Sequence, residues 1–586
     1  MRPPSWHPPI ELSDSEALII KRIKRAKLFT FLRLNRSSIF NDEFQDELAT
    51  IFKDSTVGNC PVPPAQLALA TILQAYMGIS DDEVIEEMVM DQRWQLVLDC
   101  LGSETPPFSK ATLIRFRKGL IKKELDQRLI DRTVEIAKQK GGFGSSQLRL
   151  ALDSSPLWGA GKVEDTYNLL GHALRKAVSV IARQQGRGLT EMADEAGAPI
   201  LKNSSLKTAL PLWGAGKVED TYNLLGHALR KAVSVIARQQ GRGLTEMADE
   251  AGAPILKNSS LKTALDLNWD DPIERQNALS IILNSLDSVE KWMQSQSDCD
   301  EIEVAKETLD IARFIESQNV TLDSQGSPIL TKGVAKDRRI SIEDPDMRHG
   351  RKSRSKKIDG YKRHVLKDLD IGVVRAVALT KANTPESAAT VDLESDLRFQ
   401  NPHLAELHID RAYLSSHWVT QRDEQLKIFC KAWPVRNSGR FDKNAFFLDW
   451  DTHLISCPNQ VSIPFEPGKV VHFPESECAI CPLREDCTNS KKGRSISIHA
   501  DEALMQELRA RQSTTIGRQE LRERTTVEHS LAHIGHWQGN RARYIGQRKN
   551  LFDLRRVAVV HNLHVIARMD KVLPVKPSIE SNSLTG

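Results

Sequence analysis

The stretch RERTTVEHSL at 522–531 decides how the rest of the chain is read. Val527, Leu531 and Ile534 recur at helical spacing, so the segment predicts an amphipathic helix with Arg524 and Glu528 one turn apart on its surface. Alone, such a pair is a surface ion pair worth about 0.3–0.5 kcal/mol. Two distant stretches change its meaning. LRLALD at 148–153 and AELHID at 405–410 each read as a short β-strand ending in an aspartate. Taken singly, a strand-end aspartate is an ordinary turn residue. Together, Asp153, Asp410 and Glu528 form a set of hard oxygen ligands of the kind that holds two Mg²⁺ (or Mn²⁺) ions about 3.5–4 Å apart for phosphoryl transfer.

Four segments carry a family resemblance: ALDSSPLWGAGKVEDTYNLLGHALRKAV (151–178), AKDRRISIEDPDMRHGRKSRSKKIDGYKRHV (335–365), HIDRAYLSS (408–416) and RTTVEHSLAHIGHWQGNRARYIGQRKN (524–550), the last continued by VVHNLHVIAR (559–568). In that order they resemble the DDE transposases of bacterial insertion sequences, over most of the chain. The resemblance implies an α/β fold with large all-α parts: a ribonuclease H-like mixed-sheet core preceded by a helical N-terminal transposase domain. It puts Asp153, Asp410 and Glu528 at the three acidic positions. The implied activity is a DNA transposase that hydrolyses a phosphodiester at the element's ends and transfers the freed 3′-hydroxyl into target DNA. Its partner is then double-stranded DNA, and synapsis of two ends implies a homodimer. Many relatives carry a tyrosine and a lysine where this chain has Leu521 and Gly535. Handling of the DNA end would fall to Arg524 and the later basic residues.

At 586 residues the chain is long enough for several domains. The net charge of +4 and pI near 8.5 are too mild to identify a nucleic-acid partner, so local clustering has to do so. Four of the eight cysteines lie close together, which suits reduced thiols and a metal site better than a disulfide framework. Neither a signal sequence nor an apolar run near the length of a membrane span is present, so the expectation is a soluble, cytoplasmic, nucleoid-associated protein without a membrane partner.

The expected organisation begins with a flexible N-terminus (1–14) and a helical DNA-binding domain (15–145). The catalytic core follows at 146–436 and 500–574, interrupted by a helical insertion at 156–330 and a cysteine-rich insertion at 437–499, with a disordered tail at 575–586. Within the helical domain, Ser109 reads as an N-cap, and Leu113, Phe116 and Leu120 as an inward face. That leaves Lys110, Arg115 and Lys118 as candidate DNA contacts on a helix that is otherwise an ordinary solvated one. The segment 156–210 is repeated without a single change as 211–265. Solenoids stack three or more diverged units, so this reads as a recent tandem duplication. The extra copy must loop out or stack, and activity is expected to suffer.

Between Arg348 and Arg363 stand eight Lys or Arg against one acid, Asp359. Such a run is either a solvated loop or a phosphate contact, and Arg351, Lys352, Arg354 and Lys362 are its candidates. A hairpin over Asp370 and Gly372 should follow. After Glu528, Arg541, Arg543 and Arg548 are further candidates for the DNA backbone. Cys457, Cys478, Cys481 and Cys487 have the spacing C-x20-C-x2-C-x5-C, which suits a structural Zn²⁺ in a segment short of apolar residues for a core. Free thiols and an iron–sulfur cluster are the alternatives. Two rivals to the transposase remain: a metal-dependent nuclease without strand transfer, and a catalytically inactive DNA-binding derivative.

Overall fold

Along 148–158, Leu148, Leu150, Leu152 and Ser154 alternate with Arg149, Ala151, Asp153 and Ser155, and this period-two pattern builds strand β1 (Leu148–Trp158). In the computed structural model, which describes residues 2–53, 60–141, 147–161, 163, 166–196, 272–294, 300–331, 335, 337–352, 356–398, 400 and 403–572, β1 is the centre of a mixed sheet. After a small hairpin of β2 (Val320–Leu322) and β3 (Pro328–Leu330) come β4 (Arg348–Arg351), β5 (Lys357–Asp368), β6 (Val374–Lys381), β7 (Leu404–His408) and β8 (Lys427–Phe429). The order is β4-β5-β1-β7-β8, with β6 also paired to β5. β5 runs antiparallel to β1, β4 and β6, whereas β7 is parallel to β1 and to β8.

Strand β1 does not end at Asp153 as the sequence suggested. It runs on through Ser154, Ser155 and Pro156, which pair with His364, Arg363 and Lys362 of β5, and Trp158 lies opposite Gly360. Gly360, at φ +146°, has no room for a Cβ, which would lie 2.3 Å from Gly159 N. The repeated segment begins at 156, so its first copy supplies the end of the central strand.

The helices are α1 (Asp14–Arg22), α2 (Lys27–Ile39), α3 (Asp42–Ala49), α4 (Pro64–Met77), α5 (Asp81–Met90), α6 (Gln92–Leu98), α7 (Lys110–Lys122) and α8 (Arg128–Gly141), then α9 (Thr166–Gln184) and α10 (Leu189–Glu195) in the first copy of the repeat. Beyond it come α11 (Pro272–Gln294), α12 (Asp300–Asn319), α13 (Ala389–Leu397), α14 (Glu502–Ser513), α15 (Thr515–Glu520), α16 (Thr525–Gln538) and α17 (Gln547–Val572). The second copy, 211–265, and the tail lie outside the described residues. In the first copy, Leu170, Ala173, Leu174, Ala177 and Ile181 of α9 are buried, and α9 packs on α12.

One face of the sheet and the N-terminal helices share a continuous apolar core. Ala151, Tyr361, Val365 and Val377 join Leu32, Leu67, Leu73 and Val134 through Val557, Val560 and Leu563 of α17. The other face, with Leu150, Leu152 and Leu407, packs under α13 and α14. The N-terminal residues are tied down: Trp6 N–H donates to Gln45 Oε1 at 2.6 Å and Gln45 Nε2 returns a bond to Trp6 O. The cysteine-rich segment, expected to lack a core, has a small one in which Phe446, Leu448, Ile455, Phe473 and Ile496 are buried among short strands. Each strand contributes a single inward residue, too sparse a pattern to stand out in the sequence. No helix among the described residues is long and apolar enough to cross a membrane.

Candidate active site

Register brings the two aspartates level. The last pair between the parallel strands is Ala151 with His408, and Asp153 and Asp410 lie two residues beyond it, on the same face of the sheet. Helix α16 crosses that face against β1. Its Val527, Ser530, Leu531 and Ile534 are buried, and this fixes Glu528 on the rim facing Asp153. The Arg524 guanidinium closes the group: Nη1 donates to Asp153 Oδ2 at 2.6 Å and Nη2 to Glu528 Oε1 at 3.1 Å. Burial opposes its charge, but Asp153, Asp410 and Glu528 outweigh burial and raise its pKa, so Asp410 also lies within its field.

The second oxygen of Asp153 accepts the Ser154 N–H and Asp410 accepts that of Arg411, each at 2.7 Å, which orients both carboxylates. Side-chain exposure rises from 15% at Asp153 to 53% at Glu528, so the group opens to solvent on the helix side. Its donor set, three carboxylates and no sulfur, suits a hard divalent cation. Among the described residues, however, no group of three or more His, Cys, Asp or Glu side chains is arranged to hold a metal ion. Arg524 bridges Asp153 and Glu528, and Asp410 lies within its field.

Helix α16 is fastened at both ends by residues that local sequence does not single out. Arg363, nearly fully buried with its pKa lowered to about 10 by desolvation, donates to Pro156 O, Gln538 Oε1 and Gly539 O at the helix C-terminus. Lys367 Nζ donates to Thr526 O at 2.9 Å in the first turn. Both sit on β5, Arg363 at the end of the basic run and Lys367 four residues beyond it. Beyond Asp410, Arg411 and the half-exposed Trp433 line, with Lys443 and Arg509, an open cavity of about 610 Å³.

The candidate DNA contacts divide. Arg115, Lys118 and Arg351 are exposed, and Lys110, also exposed, pairs with Asp82. Ser109 caps α7 as expected, accepting from Thr112 N–H. Lys352 reaches the Ser154 carbonyl at 3.0 Å, beside the acids, and exposed Arg541 donates to Gly159 O. Three others are bonded to the protein itself. Arg548 forks onto Asp126, whose side chain is 1% exposed, Arg543 caps the Gly78 and Ile79 carbonyls at the end of α4, and buried Lys362 donates to Thr384 O. They are internal ties, and their partners lie too far off in sequence for a reading by local charge to find. Arg354 lies outside the described residues.

Cys457, Cys478, Cys481 and Cys487 all line one small cavity of about 30 Å³. Burial raises the Cys487 thiol, with Arg494 opposing and the three other cysteines adding to the rise. Arg494 N–H points at Cys478 Sγ from 3.5 Å. The thiols gather in one cavity without closing to ligand geometry.

Two family models match the chain: one described as Transposase DDE domain over residues 457–567, and one described as Transposase domain (DUF772) over residues 21–119. The first spans the cysteines, Arg524 and Glu528, and the second spans most of α1 to α7. Neither reaches Asp153 or Asp410. No curated protein and no solved structure matches the chain.

Proposed function

We propose that the chain is a DDE transposase of an insertion element, as its two family matches support, and that it cuts DNA at the element's ends and joins the freed 3′-ends to target DNA. The observation that carries this reading is the level placement of Asp153, on β1, and Asp410, two residues past the end of the adjacent parallel strand β7, with Glu528 tied to Asp153 through Arg524. The β6-β5-β1-β7-β8 succession, antiparallel on one side of β1 and parallel on the other, supports a ribonuclease H-like core.

Asp153, Asp410 and Glu528 would hold two Mg²⁺ or Mn²⁺ ions, which when bound supply activation of the attacking oxygen and charge neutralisation at the leaving one. The protein's own contribution is electrostatic and positional. Three carboxylates repel a DNA phosphate, and Arg524, Lys352 and Arg351 offset that repulsion at the rim. Hydrolysis leaves a 3′-hydroxyl. In strand transfer that oxygen attacks a target phosphodiester and the target's own 3′-oxygen leaves, so one ester replaces another and no external energy source is required. Two ends must meet, which favours a dimer on DNA. The cysteine-rich segment is read as a structural zinc site, supported by four thiols on one cavity.

The test is cleavage and joining of DNA carrying the element's flanks in Mg²⁺ or Mn²⁺. Asp153→Asn, Asp410→Ala and Glu528→Gln should each lower both steps by more than about 100-fold while leaving DNA binding intact. Cleavage without joining would replace the transposase by a nuclease. The tandem repeat favours one second reading, a DNA-binding derivative that has lost catalysis. It would bind the ends and release no 3′-hydroxyl.

A further inference from the structure

One level beneath the three acids, the same three elements meet again. Arg149 lies four residues before Asp153 on the same face of β1, Glu406 four before Asp410 on the same face of β7, and Glu523 five before Glu528, at the turn that enters α16. The Arg149 guanidinium donates to Glu406 Oε2 at 2.7 Å, to Asp370 Oδ1 in the β5–β6 turn at 3.0 Å, and to Glu523. A planar guanidinium holds its five N–H donors in a fixed fork and can serve three carboxylates at set angles, whereas a lysine ammonium is a point charge on a flexible stem. These groups are part-exposed, and exposed ion pairs add little to global stability. What the cluster does determine is position. It links the two aspartate strands to the residue before Arg524.

We propose that Arg149 is a positioning residue that fixes the first turn of α16 against β1 and β7, and thereby sets Glu528 opposite Asp153 and Asp410. This rests on the function proposed above. A displacement of about 1 Å among catalytic groups costs on the order of 100-fold in rate, so a tie that contributes little stability can still govern the reaction. Lys367 secures the same turn through Thr526 O, but from β5, which carries none of the acids. Among the described residues, it is Arg149 that joins both acid-bearing strands to the entry of the helix.

The experiment uses the full chain on element-end DNA. The Mn²⁺ midpoint is read by electron paramagnetic resonance of free Mn²⁺, alongside single-turnover nicking. Arg149→Met should raise the midpoint about tenfold or more and slow nicking about 100-fold, with DNA affinity and melting temperature near wild type. Arg149→Lys, which keeps the charge without the fork, should fall between. Glu523→Gln cuts only the link to the helix and should shift the midpoint in the same direction, which keeps the proposal open to test if Arg149→Met does not fold. Wild-type midpoints and rates in Arg149→Met and Glu523→Gln would overturn the inference, as would lower stability with a normal midpoint in the folded fraction. Asp153→Asn is the control for the underlying reading. If wild type has no Mn²⁺ site that Asp153→Asn abolishes, the proposed function falls; if it has one that Arg149→Met leaves unchanged, only the role of Arg149 does.

Discussion

His364, opposite Ser154 and wholly buried, shows how a single residue behind the acids ties the protein to its pH range. One ring nitrogen bonds the Tyr413 hydroxyl at 2.7 Å and the other the Thr380 hydroxyl at 2.9 Å. Desolvation lowers its pKa from 6.5 to about 3. Between those values the unfolded chain takes up a proton that the folded chain refuses. Stability therefore rises with pH across this window and is lost on acidification, by about 1.4 kcal/mol per unit. His561 and His564, each lowered by burial to about 4, act in the same direction. Denaturant titrations between pH 7 and 4 should show His364→Gln with a slope smaller by about one proton, on top of a lower overall stability. An unchanged slope would mean that His364 charges as readily in the fold as outside it.

At the scale of elements, legibility followed the range of the interaction. Helix α16 could be read from Val527, Leu531 and Ile534 because a helix declares its buried face within two turns. The cap Ser109 and the β5–β6 hairpin were equally local. The end of β1 was not, since Ser154-Ser155-Pro156 is strand only because β5 lies alongside. The pairing of Arg548 with Asp126 was not legible for the same reason, the two lying 422 residues apart. The cysteine segment stands between these cases. Its spacing was plain, while its small core of Phe446, Ile455 and Phe473 was hidden in short strands. If zinc ties the four thiols together, chelation should melt β9 (Phe447–Asp449) through β13 (Ser495–Ser497) before the main sheet, and one zinc per chain should be released when the thiols are titrated with a mercurial. Full thiol reactivity with no metal released would leave free cysteines packed on an apolar core.

For the whole molecule, the duplication is the unusual feature, and the described residues say which copy does the work at its start. Leu157 of the first copy is fully buried, Trp158 N–H bonds Asn540 O, and Trp158 O accepts from Ala542 N–H, so β1 is finished by residues of the first copy and by the chain that follows α16. Helix α9, also of the first copy, packs on α12. Nothing in these contacts calls on 211–265. Removing that 55-residue segment joins Leu210 to Asp266 and leaves every one of these contacts in place. Closure entropy grows only slowly with loop length, so a connection shorter by this amount gains on the order of 1 kcal/mol. The deletion variant should therefore fold, melt at or slightly above the temperature of the full chain, and remain monodisperse at least as well on size-exclusion chromatography. The comparison also separates two causes of any inactivity. If the shortened chain cleaves and joins DNA in Mg²⁺ while the full chain does not, the repeat is the lesion and the acidic site is sound. If both bind element ends and neither cuts, inactivity lies in the site itself, and the reading as a DNA-binding derivative takes precedence. A shortened chain that fails to fold would show that the second copy has become part of the structure, against the contacts that the first copy already makes.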